Sequence, residues 1–238
     1  MIFGAILAGG SGSRMRISQM PKQFLQLGEK PIIIHTLEKF ILCDEFDILY
    51  LGTNPDWIDY MNDLIERYVF EFKERIRVVE GGKDRNSTIF NIIEAIEREF
   101  GSNEDNVIVT HDAVRPFVTT RILKDNIESV IKYDAVDTVV SATDTIVISK
   151  DGEEINQIPE RKNMYQGQTP QSFNINKLKQ LYADLSSVEK EMLTDACKIF
   201  TIRDKSVHLV QGEVSNFKIT TVSDYKIAQA MVGGEIVD

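Results

Sequence analysis

The chain has 238 residues, 42 % of them apolar and 27 % charged, with a net charge of −10. That is the balance of an ordinary globular protein, long enough to bury a sizeable core, and an α/β fold of this length can be one domain. So acidic a chain is a poor match for broad nucleic-acid or anionic-membrane binding, and no apolar run is long enough to span a bilayer. A small anionic substrate needs only a local basic cluster, which net charge does not exclude.

In chain order, Ile2–Leu7 is apolar and has no basic lead, so it reads as a core strand and not as a signal peptide. Further strands are expected at Ile48–Thr53, Ile76–Val79, Val107–Thr110 and Thr138–Ala142. Helices are expected between them. Pro31 can open one that runs over Ile32–Leu42, and another follows Asn54-Pro55 over Asp56–Tyr68. Ser87–Phe100 places Ile89, Ile92, Ile93 and Ile96 on one helical face, and Thr120–Tyr133 does the same with Ile122, Leu123, Ile127, Val130 and Ile131. This alternation implies a single domain over 1–238 with a Rossmann-like, doubly wound, mostly parallel sheet covered on both faces. Ligands in such sheets bind beyond the carboxyl ends of the strands.

After Asp144 the pattern changes. Thr145–Ser149 and Glu154–Ile158 alternate on either side of the turn signal Lys150-Asp151-Gly152-Glu153, which predicts a β-hairpin leaving the sheet as a projecting arm. A helix at Ile175–Leu185, a strand at Val207–Gln211 and a helix at Ser223–Met231 complete the chain. Cys43 and Cys197 stand far apart without metal-ligand spacing, so two free thiols in a reducing cytoplasm are expected.

The first strand runs into Leu7-Ala8-Gly9-Gly10-Ser11-Gly12-Ser13-Arg14-Met15. Glycines let backbone N–H groups approach a polyphosphate, and Arg14 adds positive charge. An ordinary glycine-rich turn has the same composition. A dinucleotide fingerprint fails, because Met15 occupies its third glycine position and Leu51-Gly52-Thr53-Asn54 offers no acid for a ribose; no Walker lysine follows either. Lys22, in Pro21-Lys22-Gln23, would pass for a surface lysine without context. Asp112 ends the fourth strand, a common place for a metal-binding carboxylate, although a helix-capping Asp would look alike. His111 points to the opposite face and is read as packed, as are His35 and His208. Three further segments are dense in polar residues: Gly81–Thr88, Arg161–Gln171 and Asn216–Thr221.

In order, these motifs resemble the cytidylyltransferase family whose members act on 2-C-methyl-D-erythritol 4-phosphate or ribitol 5-phosphate. The likeness covers nearly the whole chain. It rests on Ala8–Met15, Pro21-Lys22-Gln23, Gly81-Gly82 with Arg85 and Thr88, His111–Pro116, Thr169-Pro170-Gln171, Thr194-Asp195 and Lys218. It implies a nucleotidyltransferase fold and a CTP site made by Leu7, Ala8, Gly9, Gly10, Gly12, Arg14, Lys22, Gly82, Arg85, Asn86, Thr88, Asp112 and Ala113. By the same likeness, Asp112 holds magnesium and Arg115, Thr145, Arg161, Thr194 and Lys218 meet a polyol phosphate. Arg14, Lys22 and Lys218 stabilise charge on the reacting phosphates. A homodimer is implied, with an arm at about 144–168 carrying Thr145 and Arg161 into the partner's site.

Departures within the family point to its ribitol branch, which serves teichoic-acid synthesis. Ala8-Gly9-Gly10 stands where the erythritol branch tends to read Ala-Ala-Gly. Tyr165 and Gly167 stand where it tends to have Trp and Ala, and Thr88 replaces its usual Ser. The run Asp134–Val140 also resembles the ribitol enzymes. The rival readings are the erythritol substrate, an NAD(P)-dependent oxidoreductase and a non-catalytic nucleotide-binding regulator.

Overall fold

The computed structural model describes residues 1–10 and 20–234. The apolar opening forms β1 (Ile2–Ala8). A small antiparallel pair, β2 (Gln26–Leu27) and β3 (Lys30–Pro31), then leads into α1 (Ile32–Ile41). Next come β4 (Ile48–Thr53), α2 (Ile58–Tyr68), β5 (Ile76–Glu80), α3 (Arg85–Phe100), β6 (Val107–Asp112), α4 (Thr120–Tyr133) and β7 (Ala135–Ser141). The later part supplies β8 (Tyr165–Asn174), α5 (Ile175–Ala183), α6 (Ser187–Glu191), α7 (Cys197–Thr201), β9 (His208–Gln211) and α8 (Val222–Gly233).

Among the described residues, one sheet runs in the order β5-β4-β1-β6-β8-β7-β9. All neighbours are parallel except those of β8, which is antiparallel to both β6 and β7. Side chains alternate across each strand, so two cores form. On one face Phe3, Ala5, Tyr50, Ile108, Ala135 and Phe173 pack under α3, α5 and α7. On the other, Ile6, Leu49, Leu51 and Val109 pack under α1, α2 and α4. Each of these large apolar side chains contributes roughly 1.5–3 kcal/mol on burial. This is the expected doubly wound, mostly parallel architecture.

Local chemistry sets the element ends. Asp84 caps α3 through a reciprocal box: its carboxylate accepts from the Ser87 N–H at 2.7 Å, and the Ser87 hydroxyl accepts from the Asp84 N–H at 2.9 Å. The Thr119 hydroxyl caps α4. The helix expected to begin at Asp56 instead begins at Ile58, because Pro55–Trp57 closes a 3-10 turn on the Asn54 side chain.

The strand β8 is the main departure from expectation. Tyr165–Gln168 falls within the expected arm, yet these residues open a strand of the main sheet. Gln-, Gly- and Pro-rich sequence has little β propensity. Tertiary hydrogen bonds supply what propensity does not. The Thr138 hydroxyl donates to the Pro170 carbonyl at 2.7 Å and accepts from Asn126 Nδ2 at 2.9 Å. The pairing register shifts between Asp137 and Val139, opposite the proline. Strand β7 begins at Ala135 and not at Thr138, because Ala135 and Val136 already pair with Phe173 and Ser172 of β8. The arm itself leaves and rejoins the sheet, but its hairpin reduces to one bridge, Ile148 with Gln157. An isolated two-stranded ribbon has little independent stability, which accounts for the short pairing.

Candidate active site

The carboxyl ends of β1, β4 and β6 meet at a cleft of about 550 Å³. Its first wall is the backbone from Leu7 to Gly10, where β1 runs out. A methyl added at Gly10 would meet nothing within 4 Å among the described residues. The Gln23 side chain fixes this wall by donating to the Ala8 carbonyl at 2.6 Å and the Gly10 carbonyl at 3.2 Å. That bond places Lys22, the preceding residue, on the cleft lining. Gly12 and Arg14, both expected in this loop, lie outside the described residues.

The opposite wall is the turn into α3, contributing Gly82, Lys83, Asp84, Arg85 and Thr88. Gly82 can only be glycine: an added Cβ would lie 2.5 Å from Ser87 Cβ and 2.7 Å from its carbonyl carbon. The buried Thr88 hydroxyl accepts from the Gly82 N–H at 3.0 Å and donates to the Asp84 carbonyl at 2.9 Å. Thr88 therefore shapes the turn, and the serine expected in relatives would keep both bonds. Lys22, Lys83, Arg85 and Lys218 give the cleft a basic lining despite the acidic chain.

Asp112 and Ala113 form the floor. Lys218 Nζ stands 2.9 Å from Asp112 Oδ2, Arg115 Nε 3.7 Å from the same oxygen, and Arg85 Nε 3.5 Å from Oδ1. Burial alone would raise this carboxyl, but the three cations outweigh it and hold it well below the usual carboxylate range. Asp112 is therefore anionic at any physiological pH.

A hydrogen-bonded frame holds these groups, and most of it was not legible in advance. His111 is fully buried, as expected of a packed residue. Its Nε2 faces the Arg115 carbonyl at 3.1 Å, which can only accept, so the proton sits on Nε2. Its Nδ1 then accepts from the Thr169 hydroxyl at 2.9 Å, and that oxygen accepts from the Asp112 N–H at 3.2 Å. Burial pushes the imidazole down to about 4, so it is neutral. Asn216 ties the next loop down: its Nδ2 donates to the Thr169 carbonyl at 2.8 Å, and its own carbonyl accepts from Arg115 Nη1 at 2.7 Å. Lys218, two residues on, is held at the cleft by this anchor.

Other expected residues lie elsewhere. Asn86 is buried outside the cleft lining, and Arg115 supports Asp112 from behind it. Thr145 and Arg161 sit on the exposed arm, where Arg161 Nη1 donates to the Thr143 carbonyl at 3.2 Å. Thr194 is exposed beside Asp195. Among the described residues, no group of three or more His, Cys, Asp or Glu is arranged to hold a metal. None of their helices is long and apolar enough to cross a membrane, and Cys43 and Cys197 are free and buried.

A buried carboxylate ringed by cations, facing a glycine-rich strand end and a helix N-terminus, defines a nucleotide-handling α/β protein of the nucleotidyltransferase class. Residues 2–234 match the family model of IspD, 2-C-methyl-D-erythritol 4-phosphate cytidylyltransferase. The chain belongs to this family of cytidylyltransferases. Solved structures agree. The 4-diphosphocytidyl-2C-methyl-D-erythritol synthase of Anaerococcus prevotii superposes with a TM-score of 0.79 at 28 % identity, covering 98 % of this chain and 96 % of that one. The 2-C-methyl-D-erythritol 4-phosphate cytidylyltransferase of Francisella tularensis gives 0.76 at 25 % identity, over 95 % and 97 % of the two chains. The enzyme of that name from Thermus thermophilus, at 24 % identity and a TM-score of 0.75 over 98 % and 100 %, shares the fold.

Proposed function

We propose that this protein transfers the CMP part of CTP to a polyol phosphate and releases pyrophosphate. The observation that carries the reading is the Asp112 carboxylate sunk among Arg85, Arg115 and Lys218 at the floor of the cleft. The acceptor's phosphate oxygen attacks the α-phosphorus in line. The bond from that phosphorus to the α,β-bridging oxygen breaks, and pyrophosphate leaves with the electron pair. A phosphate nucleophile is already ionised at neutral pH, so no general base is needed, and neutral buried His111 is unsuited to be one. The obstacle is repulsion between anions. Lys22 and Lys218 offset it and stabilise charge developing on the α-phosphate, with Arg14 as the third cation that the sequence assigns.

Magnesium fits this site only in one form. One carboxylate cannot cage the ion, but magnesium commonly rests on one or two carboxylates plus substrate phosphates and water. Asp112 Oδ2 faces Lys218 Nζ at 2.9 Å and Arg115 Nε at 3.7 Å, while Oδ1 faces Arg85 Nε at 3.5 Å, which leaves Oδ1 as the candidate oxygen for the ion. It would hold an ion that supplies charge neutralisation to the triphosphate.

Two acceptors are supported, each by its own observation. The family description and the named activities of the solved relatives support 2-C-methyl-D-erythritol 4-phosphate. D-ribitol 5-phosphate, which would give CDP-ribitol for teichoic-acid or capsule polymers, is favoured by a polar row beside the cleft. There Gln171 Nε2 donates to both Asp137 and Asp195, and Gly167 leaves Asp137 uncovered. Linear polyol hydroxyls need such partners, whereas a branched methyl needs apolar contact. The arm supports a homodimer, since Val147, Ile148, Ile155 and Ile158 are exposed on it. Thr145 and Arg161 would then act in the partner's site, and buried free thiols suit a cytoplasmic setting.

The test is pyrophosphate release from CTP and magnesium with the two polyol phosphates offered in parallel. Release with either establishes the transfer, and the preferred substrate fixes the acceptor. No release with either would overturn the reading.

A further inference from the structure

Along one face of the sheet, the side chains change from apolar to polar in a single step. Ile108, Phe173 and Ala135 stand in register across β6, β8 and β7 within the apolar core. Two residues further along each strand, on the same face, Thr110, Gln171 and Asp137 stand in register. Two residues beyond Thr110 lies Asp112. A row of polar side chains, Thr110 and Gln171 buried and Asp137 half-buried, thus abuts the cleft floor.

The row is built and not incidental. Gln171 is 1 % exposed, and its Nε2 gives one hydrogen to Asp137 Oδ1 at 3.0 Å and another to Asp195 Oδ2. Asp195 is itself fixed, because its Oδ1 accepts from the Cys197 N–H at 2.7 Å. Gln171 Oε1 is buried with no hydrogen-bond partner among the described residues, and so are Arg85 Nη1 and Nη2. A polar atom left in that state costs about 1–3 kcal/mol unless something else satisfies it. Arg85 and Arg115 act on Asp137 as well as on Asp112, so the two carboxylate sites share their cations. The outer side of Asp137 is open: a methyl built on exposed Gly167 would approach Asp137 Oδ2 at 3.6 Å.

We propose that Asp137, held by Gln171 beside Asp195, is a specificity-determining residue that accepts hydrogen bonds from hydroxyl groups of the acceptor polyol. The inference rests on the polyol-phosphate reading and deepens it. With the acceptor's phosphate at the Lys218 side of the cleft, its carbon chain passes Arg85 and brings hydroxyls to Asp137 Oδ2. Asp137 Oδ2, on the side next to exposed Gly167, is the oxygen open to such hydroxyls, while Gln171 Oε1 and the Arg85 Nη atoms are buried behind it. Gly167 is then the gap through which the polyol reaches the carboxylate.

The experiment measures KM separately for CTP and for the polyol phosphate in wild type, Asp137→Asn, Asp137→Leu and Gly167→Ala, with thermal melts to establish folding. Asp137→Leu should raise the polyol-phosphate KM about tenfold to a hundredfold, while the CTP KM stays within about twofold. Asp137→Asn keeps the Gln171 bond and should recover part of the loss. Gly167→Ala touches no core atom and should raise the polyol KM in the same direction even if the leucine variant does not fold. Wild-type turnover with an unchanged polyol KM in both Asp137→Leu and Gly167→Ala overturns the inference alone. So does a rise in both KM values together. Wild type that turns over no polyol phosphate overturns the underlying reading, and the inference with it.

Discussion

Lys218 Nζ stands 2.9 Å from Asp112 Oδ2, although Asp112 ends β6 in the middle of the chain and Lys218 lies far downstream, between β9 and α8. The Lys218 side chain is 38 % exposed, so its contribution to folding is small, while its charge points into the cleft. Lys218→Ala should therefore fold normally and lose transition-state stabilisation of about 3–4 kcal/mol, a drop of roughly two to three orders of magnitude in kcat. Asp112→Asn should behave differently. It leaves Arg115 buried without its counter-charge, and breaking a buried pair from one side costs about 3–5 kcal/mol. Denaturant melts beside pyrophosphate-release assays separate the two; a Lys218→Ala enzyme with near-wild-type turnover removes the role assigned to Lys218.

Thr169 links the backbone of Asp112 to the buried ring of His111 through a single hydroxyl. Thr169→Val keeps the shape and deletes that oxygen. Two buried groups then lose their partner, the Asp112 N–H and His111 Nδ1, at about 1–3 kcal/mol each. Thr169→Ser should retain most of the stability. Equal melting curves for the valine variant and wild type would show that the frame around Asp112 does not depend on this link.

How far the sequence reveals this arrangement depends on whether a residue's role is local. Strands β1, β4, β5 and β6, the helices facing them and the carboxyl-end location of the cleft follow from hydrophobic period, and Asp112 is recognisable as a strand-terminal carboxylate, whereas the short pair β2 and β3 carries no such period. Strand β8 is not, because Tyr165–Asn174 becomes a strand only through partners far away in sequence, among them Thr138 and Asn216. Gln171 is the same case. It sits in a motif that resembles the family, but its link between Asp137 and Asp195 exists only once β7, β8 and the Thr194-Asp195 segment converge. Asn216 and Gln23 likewise act by holding backbone carbonyls in place, and residue type alone carries no mark of that. Gly82, by contrast, is legible as a glycine that matters, and contact with Ser87 supplies the reason.

Asp137 should make stability fall as pH rises. Burial raises its carboxyl to about 6, Asp195 adds to the rise, and the Gln171 bond and the nearby arginines oppose it. An unfolded aspartate titrates near 3.9. Between about pH 4 and pH 6 the folded state holds a proton that the unfolded chain has already released, so stability is lost across that window and is level above it. With solvent screening of a partly exposed group, the loss attributable to Asp137 is about 2 kcal/mol. Asp137→Asn should remove it, giving a more stable protein at pH 8 and no gain at pH 4. Urea titrations at the two pH values test this, and a gain of equal size at both would mean that the charge is not the cause.

Arg161 and Thr145 stand apart from the cleft of their own chain in the arrangement described. Both sit on the exposed arm, neither lines the cleft, and Arg161 Nη1 is committed to the nearby Thr143 carbonyl. Lys22, by contrast, lies on the lining beside the Gln23 clamp. If the arm completes a neighbour's site, the two residues belong to different chains of each working centre. An Arg161→Ala homodimer then lacks the arm contribution in both sites, and a Lys22→Ala homodimer lacks the phosphate contact in both. A heterodimer of the two variants combines both defects in one site and restores a fully wild-type set in the other. Mixing the inactive variants should therefore recover up to about half the activity per heterodimer, in proportion to subunit exchange. Heterodimers demonstrated by differential tagging but still inactive would place Arg161 in its own chain's chemistry, or in none.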